Sequence, residues 1–457
     1  MNRSQIKDFT QGNISKQLIA FSSPLLLANI LQVVYNMVDM IIVGNVMGKV
    51  GTAAVAVGGD VTNLLTFVGI GFASAGQVLI ARYIGAGEKA RIGRFVGTMS
   101  GFLMLCAVII SALGLMFQTP LLKLMNTPAE AYDGAVAYST ICMVGLVFIY
   151  GYNIVSAILR GMGDSKHPLL FIGIATVMNI ILDVVFVIAL EMGAGGAALA
   201  TVISQATSFL LCLGFLIRRR HEFELNVSPL YFVRWNRGML RAFVNLGTPM
   251  AIKFASVQVS KLFVNSWINS YGVAVSAFAG IANKLASIVN LISNAMNTAG
   301  STMVGQNLVA GKFDRVKKIM MSIFVITMTF VLIFSVLIVL FPEEIFGLFI
   351  ERSEQDVLAL AREYVPIAIL MFLASSLRAT MNALINGSGS TAINFATAIL
   401  DGIVLRIGLA VLFGLVLDMR HMGFWLGDAL AGFTPFWLGL IFYLSGRWKR
   451  CAKVREK

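Results

Sequence analysis

Charge is scarce in this chain. Only 12% of its 457 residues are Asp, Glu, Lys or Arg, while hydrophobic residues make up 58%. That balance excludes an ordinary soluble domain, whose surface needs about twice as much charge. Cysteine is sparse too, at 4 residues. Cys106, Cys142 and Cys212 fall in apolar runs and Cys451 near the end, so no disulfide framework or metal-ligand spacing is available. The 3 histidines, His167, His221 and His421, are each expected in a loop. Without an Asp-rich motif or a His–acid pair, an integral membrane transferase is the weaker class. No small-residue cleavage site follows a short apolar core at the N-terminus, so the first apolar run is expected to be retained.

What the chain has instead is long apolar runs, each near the roughly 20 residues that cross a bilayer. Their positions predict twelve transmembrane helices, at 18–43, 53–80, 93–117, 133–159, 168–190, 194–217, 242–270, 276–305, 317–341, 360–386, 391–415 and 422–446. Of the 35 Lys and Arg, counting Arg94, Lys317, Lys318 and Arg362 at run ends with the loops they adjoin, 25 fall on the side of the termini, 5 on the opposite side and 5 within runs. Basic residues mark the cytoplasmic face, so both termini are expected there. The net charge of +13 then reports topology, and no nucleic-acid partner is expected. The basic tail, 447–457, is expected to lie against anionic headgroups.

The chain also repeats itself. Ala75-Gly76, Ala86-Gly87 and Arg91 recur as Ala299-Gly300, Ala310-Gly311 and Arg315, and Pro24 recurs as Pro249. The segment from Ala157 to Gly163 recurs from Ala383 to Gly389. The reading is an all-α membrane protein of two pseudo-symmetric six-helix bundles around a central cavity. An N-terminal lobe (1–217) and a C-terminal lobe (242–446) are joined by a hydrophilic cytoplasmic linker (218–241). Six spans per half make the repeat parallel, related by an axis along the membrane normal.

Asp39 and Asp183 interrupt the first and fifth runs. A carboxylate at membrane depth is costly and usually serves transport. Counted from the run ends, Asp39, Asp183 and Thr201 share a level roughly 7–11 Å below the outer surface. Asn179 precedes Asp183 by one helical turn and shares its face. Close carboxylates cannot both ionise cheaply, so the set suits a shared proton, or sodium held by carboxylate, amide and hydroxyl oxygens. The alternative is that each aspartate only bonds a neighbouring helix and fixes packing.

The second half inverts the sign. Its buried charges are mostly basic: Lys253, Lys261, Lys284, Arg378 and Arg406, with Asp401 as the clearest internal acid and Asp428 nearer an end. These cations can pair with acids such as Asp401 and Asp60 or with carbonyls, snorkel to the interface, or receive an anionic substrate group. Gln32, Tyr35, Asn36, Asn153, Gln258, Lys261, Arg378 and Asn382 are candidate substrate-pocket residues.

These residues carry a resemblance. The two six-span halves, Pro24 with Gln32 and Asp39, and Gly85-Ala86-Gly87 after the second span resemble the MATE family, the multidrug and toxic compound extrusion antiporters. Asn179, Asp183, Gly193, Ala200-Thr201 and Gln205 are similar to its DinF-like branch. The resemblance implies Asp39, Asn179, Asp183 and Thr201 as the coupling network, Gln32 and Asn153 as nearby pocket residues, and Pro24 as a hinge. The NorM-like branch carries acids in spans seven and ten. Here Gln258, Ser375 and Ser376 stand near those places. The implied function is a cation-coupled antiporter, with protons ahead of sodium, that exports small organic molecules or drugs by alternating access. It would be a monomer of a prokaryotic cytoplasmic membrane, with membrane lipids as partners and no cofactor beyond H+ or Na+. The alternative is a flippase of a lipid-linked or anionic amphiphilic substrate.

Overall fold

The computed structural model describes residues 5–125, 127–347 and 355–453, and no strand occurs among them. Helix α1 runs Ile14–Gly85, a length of 72 residues. A straight helix of that length would reach roughly 108 Å, against a hydrocarbon layer of about 30 Å. Gly48 interrupts it with φ 63° and ψ −153°, a backbone region that residues with a Cβ avoid. The break falls between the first two expected spans.

Next come α2 (Ile92–Met116), α3 (Gln118–Leu124), α4 (Tyr132–Val144) and α5 (Leu146–Gly161). The last two meet at a bend of 47° beside Gly145, where a Cβ would come within 2.4 Å of Val202. Helix α6 (Lys166–Asp183) continues into a π-helical turn, Val184–Ala189, and α7 covers Gly193–Arg218. Then follow α8 (Arg237–Asn269), α9 (Val273–Val309), α10 (Phe313–Leu340), the short α11 (Pro342–Gly347) and α12 (Gln355–Ser388). Helices α13 (Thr391–Ile399) and α14 (Leu405–Val411) are linked by a π-helical turn, Leu400–Val404, and a second such turn, Leu412–Val416, follows. Helices α15 (Arg420–Ala431) and α16 (Thr434–Leu444) complete the set.

Among the described residues nine helices are long and apolar enough to cross a membrane, or ten with the bent α4–α5 pair. The expected number is twelve. The long α1 covers the first two expected spans. Helix α8, which covers the seventh, is not among the nine; polar Asn245, Lys253 and Gln258 dilute its apolar run. Outward faces are apolar, as on α10, where Val325, Leu332, Val336 and Val339 are exposed. Such faces suit lipid. The histidines need a correction: His167 and His421 lie in the first turns of α6 and α15, and only His221 lies in a turn. Asp164 explains the first, because its Oδ1 accepts from the backbone N–H groups of Lys166 and His167 and so starts the helix early.

Contacts divide the chain into two units. One is built on Ser23–Ala251, the other on Phe9–Ser22 with Ile252–Val454. The changes of unit within α1 and α8 each fall beside a proline of the repeat, Pro24 and Pro249. In the first unit, Val43, Val55, Leu146, Tyr150 and Ala197 belong to one buried cluster. The hydrophilic stretch after α7 belongs to this unit as well. It lies on α2 through a stripe of glycines: a Cβ on Gly93 would come 2.1 Å from the Asn226 carbonyl, and one on Gly97 2.4 Å from Tyr231. A Cβ on Gly101 would meet the Phe232 carbonyl at 2.1 Å.

In the second unit, Phe278 is ringed by Phe346, Tyr364 and Trp425 at centroid distances of 5.1, 5.3 and 5.5 Å. Its α15 approaches α14 closely, since a Cβ on Gly427 would lie 2.4 Å from the Ala410 nitrogen. Small residues permit such backbone approach. The segment from Phe9 to Gly12 is held by Arg315, whose guanidinium donates to the carbonyls of Phe9, Gln11 and Gly12 at 3.0–3.1 Å. In the basic tail Trp448 is buried, with its indole nitrogen donating to the Tyr443 carbonyl at 3.1 Å. The last residues of the tail, 454–457, lie outside the described residues.

Candidate functional site

The first-unit acids converge. Asp39 comes from α1, Asn179 and Asp183 from α6 and Thr201 from α7, and all four are buried. Asn179 lies one turn before Asp183. With its amide nitrogen turned toward that carboxylate, it donates to Asp183 Oδ2 at 2.9 Å and its oxygen accepts from the Thr201 N–H at 3.3 Å. The Thr201 hydroxyl exchanges a hydrogen bond of 3.0 Å with the Tyr35 hydroxyl. Asp183 lies within electrostatic reach of Asp39. Asp39 Oδ1 and Asp183 Oδ1 are buried and without a hydrogen-bond partner. A buried carboxylate oxygen left so is costly. A proton on either carboxylate would turn an acceptor into a donor. A sodium ion would find carboxylate, amide and hydroxyl oxygens, the ligands a hard cation prefers.

Other expected residues of this unit are spread out. Tyr35, expected in the substrate pocket, joins the acid network through Thr201. Gln32 and Asn36 are exposed, and the Asn153 amide donates to its own helix at Ile149, 2.9 Å away. Helix α1 keeps helical geometry through Pro24, and its non-helical residue is Gly48. Sequence reasoning missed Tyr138 on α4. It is buried, interacts with the Thr201 hydroxyl and lies within electrostatic reach of Asp39. Its neighbours, Ala137 and the Ser139-Thr140 pair, gave no signal for it. Also missed were Ser204 and Ser208 on α7, whose buried hydroxyls lack partners. Their spacing from Thr201, near one and two helical turns, was the available clue.

In the second unit the cations fall into two groups. Arg406 is buried and pairs with both acids, donating from Nη2 to Asp401 Oδ1 at 2.8 Å and from Nη1 to Asp428. Lys253, Lys261 and Arg378 form no direct salt bridge among the described residues. Lys253 donates to the Asn382 amide oxygen at 2.7 Å, and Arg378 to that of Asn290 at 2.7 Å. Lys261 sits near Asp428 and Arg406 without a direct pair. Lys284 and Asp60 are exposed, and Gln258 is half-buried. A small cavity of about 30 Å³ is lined by Lys261, Arg378, Arg406, Asp428, Asn290 and Ser375, with apolar side chains completing its wall. Among the described residues no three His, Cys, Asp or Glu side chains gather as a metal cluster.

Comparison with known proteins gives concordant matches. The family model MatE matches residues 24–185 and 249–412. A relative from Bacillus subtilis (strain 168), described as "Probable multidrug resistance protein YpnP", is 29% identical over 98% of this chain and 99% of its own length. A solved structure described as the outward-facing conformation of a multidrug resistance MATE family transporter of the MOP superfamily superposes with a TM-score of 0.89. It is 20% identical and covers 99% of this chain and 100% of that one. A Pyrococcus furiosus transporter of the MOP superfamily, described as having a binding pocket of reversed polarity, gives 0.88 at 20% identity over 99% and 100%.

Proposed function

This chain belongs to the MatE family of multidrug efflux transporters, and from that premise we propose that it is a cation-coupled antiporter, driven by protons ahead of sodium, that exports small organic molecules. It is a multi-pass membrane transporter and not an enzyme. The proposal includes a cytoplasmic-membrane location with both termini cytoplasmic, as the 25 basic residues on that side indicate.

One observation carries the coupling reading: two buried acids from different helices, within repulsive reach, each with an orphaned oxygen. With both ionised, the pair repels and Asp183 holds only the amide of Asn179. A proton arriving on either acid removes the repulsion and supplies a donor. The changed hydrogen bonds then pass through Thr201 to Tyr35 on α1. Pro24 lies upstream on the same helix. A proline cannot donate to the carbonyl of the preceding turn, so α1 bends there at low cost. Bending narrows the outward pocket and expels the substrate, and release of the cation to the cytoplasm resets it.

The test is transport by the purified protein in proteoliposomes, with pH and sodium gradients imposed separately. Asp39→Asn and Asp183→Asn should each insert and fold but reduce gradient-driven export to the level of empty vesicles. Export by either variant at the wild-type rate removes that acid from the coupling site.

A further inference from the structure

We propose that the second-unit cavity binds an oxyanion carried on an apolar organic body, such as a carboxylate, sulfonate or phosphate ester, with Lys261 and Arg378 as its cationic contacts. The proposal deepens the exporter reading, resting on it for transport but not for binding.

The argument begins with charge. Lys261, Arg378 and Arg406 line the cavity, with Asp428 as the acid among its lining residues. Arg406 already engages both Asp428 and Asp401. That leaves Lys261 and Arg378 without a direct salt bridge, and Lys253 beside them bonded only to the Asn382 amide. Lys253, Lys261, Arg378 and Arg406 thus share Asp401 and Asp428 as their nearby acids; such an excess of cations inside a membrane helix bundle is expensive, and a ligand of opposite sign offsets the cost. A cationic ligand would meet like charges, with the nearby acid already in use.

Donor geometry agrees. The Asn290 oxygen accepts from Arg378 at 2.7 Å and from the Ser375 hydroxyl at 2.8 Å. Its amide nitrogen therefore remains a donor at the cavity wall. Arg406 Nε is buried and has no partner. Ammonium, guanidinium and amide donors are grouped there. A fork of guanidinium donors matches an oxyanion. Val289, Met371 and Phe372 supply an apolar wall for the remainder of the ligand. The cavity of about 30 Å³ has room for about one water, so seating the apolar body requires the flexible Met371 and Phe372 side chains to move aside.

Full-length protein in detergent is titrated with carboxyfluorescein, an anion, and with ethidium, a cation, and anisotropy is read without any gradient. Carboxyfluorescein should bind at least ten-fold more tightly. Lys261→Glu and Arg378→Gln should each weaken it at least ten-fold, and Lys261→Arg should stay within about three-fold of wild type. Lys261→Met, which keeps the apolar stem, guards against misfolding and should also weaken binding. Displacement by 1-naphthoate indicates a free solute, and displacement by phosphatidylglycerol a lipid headgroup; either supports the site. Ethidium binding as tight as carboxyfluorescein, unchanged curves for both Lys261→Met and Arg378→Gln, or displacement by neither competitor overturns it. Intact dye binding with no gradient-driven transport overturns the exporter reading instead and leaves this site standing.

Discussion

Arg406 shows what a single residue does in this bundle. It is almost fully buried and its two Nη nitrogens each hold an acid. Replacing it with methionine fills similar space but leaves Asp401 buried without its partner. Breaking a buried pair from one side costs about 3–5 kcal/mol. Arg406→Met should therefore lower the apparent Tm of the detergent-solubilised protein by several degrees, read by fluorescence-detected size exclusion after heating. Adding Asp401→Asn should restore part of the loss; no restoration would mean the arginine stabilises through packing alone. The sequence named Arg406 and Asp401 but could not pair them. They are five residues apart, which an α-helix places on different faces, and the π-helical turn Leu400–Val404 changes that register. Asp428, on another helix, was farther still from sequence inference. Asn179 and Asp183 were legible because a spacing of four needs no tertiary knowledge.

At the scale of elements, hydropathy locates helices well and their interruptions poorly. The apolar runs match the observed helices closely, yet the only break between the first two is a kink at Gly48, and π-helical turns divide the eleventh run. Nor does polarity reveal how a loop packs. The stretch after α7 reads as a solvated linker, while its backbone lies against Gly93, Gly97 and Gly101 of α2. The three glycines recur every fourth residue, a pattern visible in the sequence, but the partner of that stripe is not. Gly97→Val would set side-chain atoms against Tyr231 and lift the stretch from its helix. Overpacking of this kind costs roughly 1–3 kcal/mol. The expected result is faster trypsin cleavage at Arg218, Arg219 and Arg220, with the mutation silent if the stretch is not held there in the membrane.

For the whole molecule, the sign of the cargo decides the energetics. Exchange of one proton inward for one monocation outward moves no net charge. The same exchange with a monoanion moves two. Each charge is worth about 2.3 kcal/mol per 100 mV. Proteoliposomes with a valinomycin-clamped potassium potential and no pH difference should therefore accelerate export of 1-naphthoate, a monoanion, when the cytoplasmic side is negative. Indifference to the clamped potential would exclude a one-for-one exchange of proton and anion.

The division of α8 has a consequence for biosynthesis. Gly71 of α1 abuts the Ala251 backbone and Gly247 the ring of Phe72, so the first unit includes the opening turns of the helix that starts the second half. A ribosome that has finished the sixth apolar run has not yet supplied this piece. The amino-terminal unit must wait, incompletely sealed, until translation has passed residue 251, so the two halves are not independent products of a duplicated gene at the moment they are made.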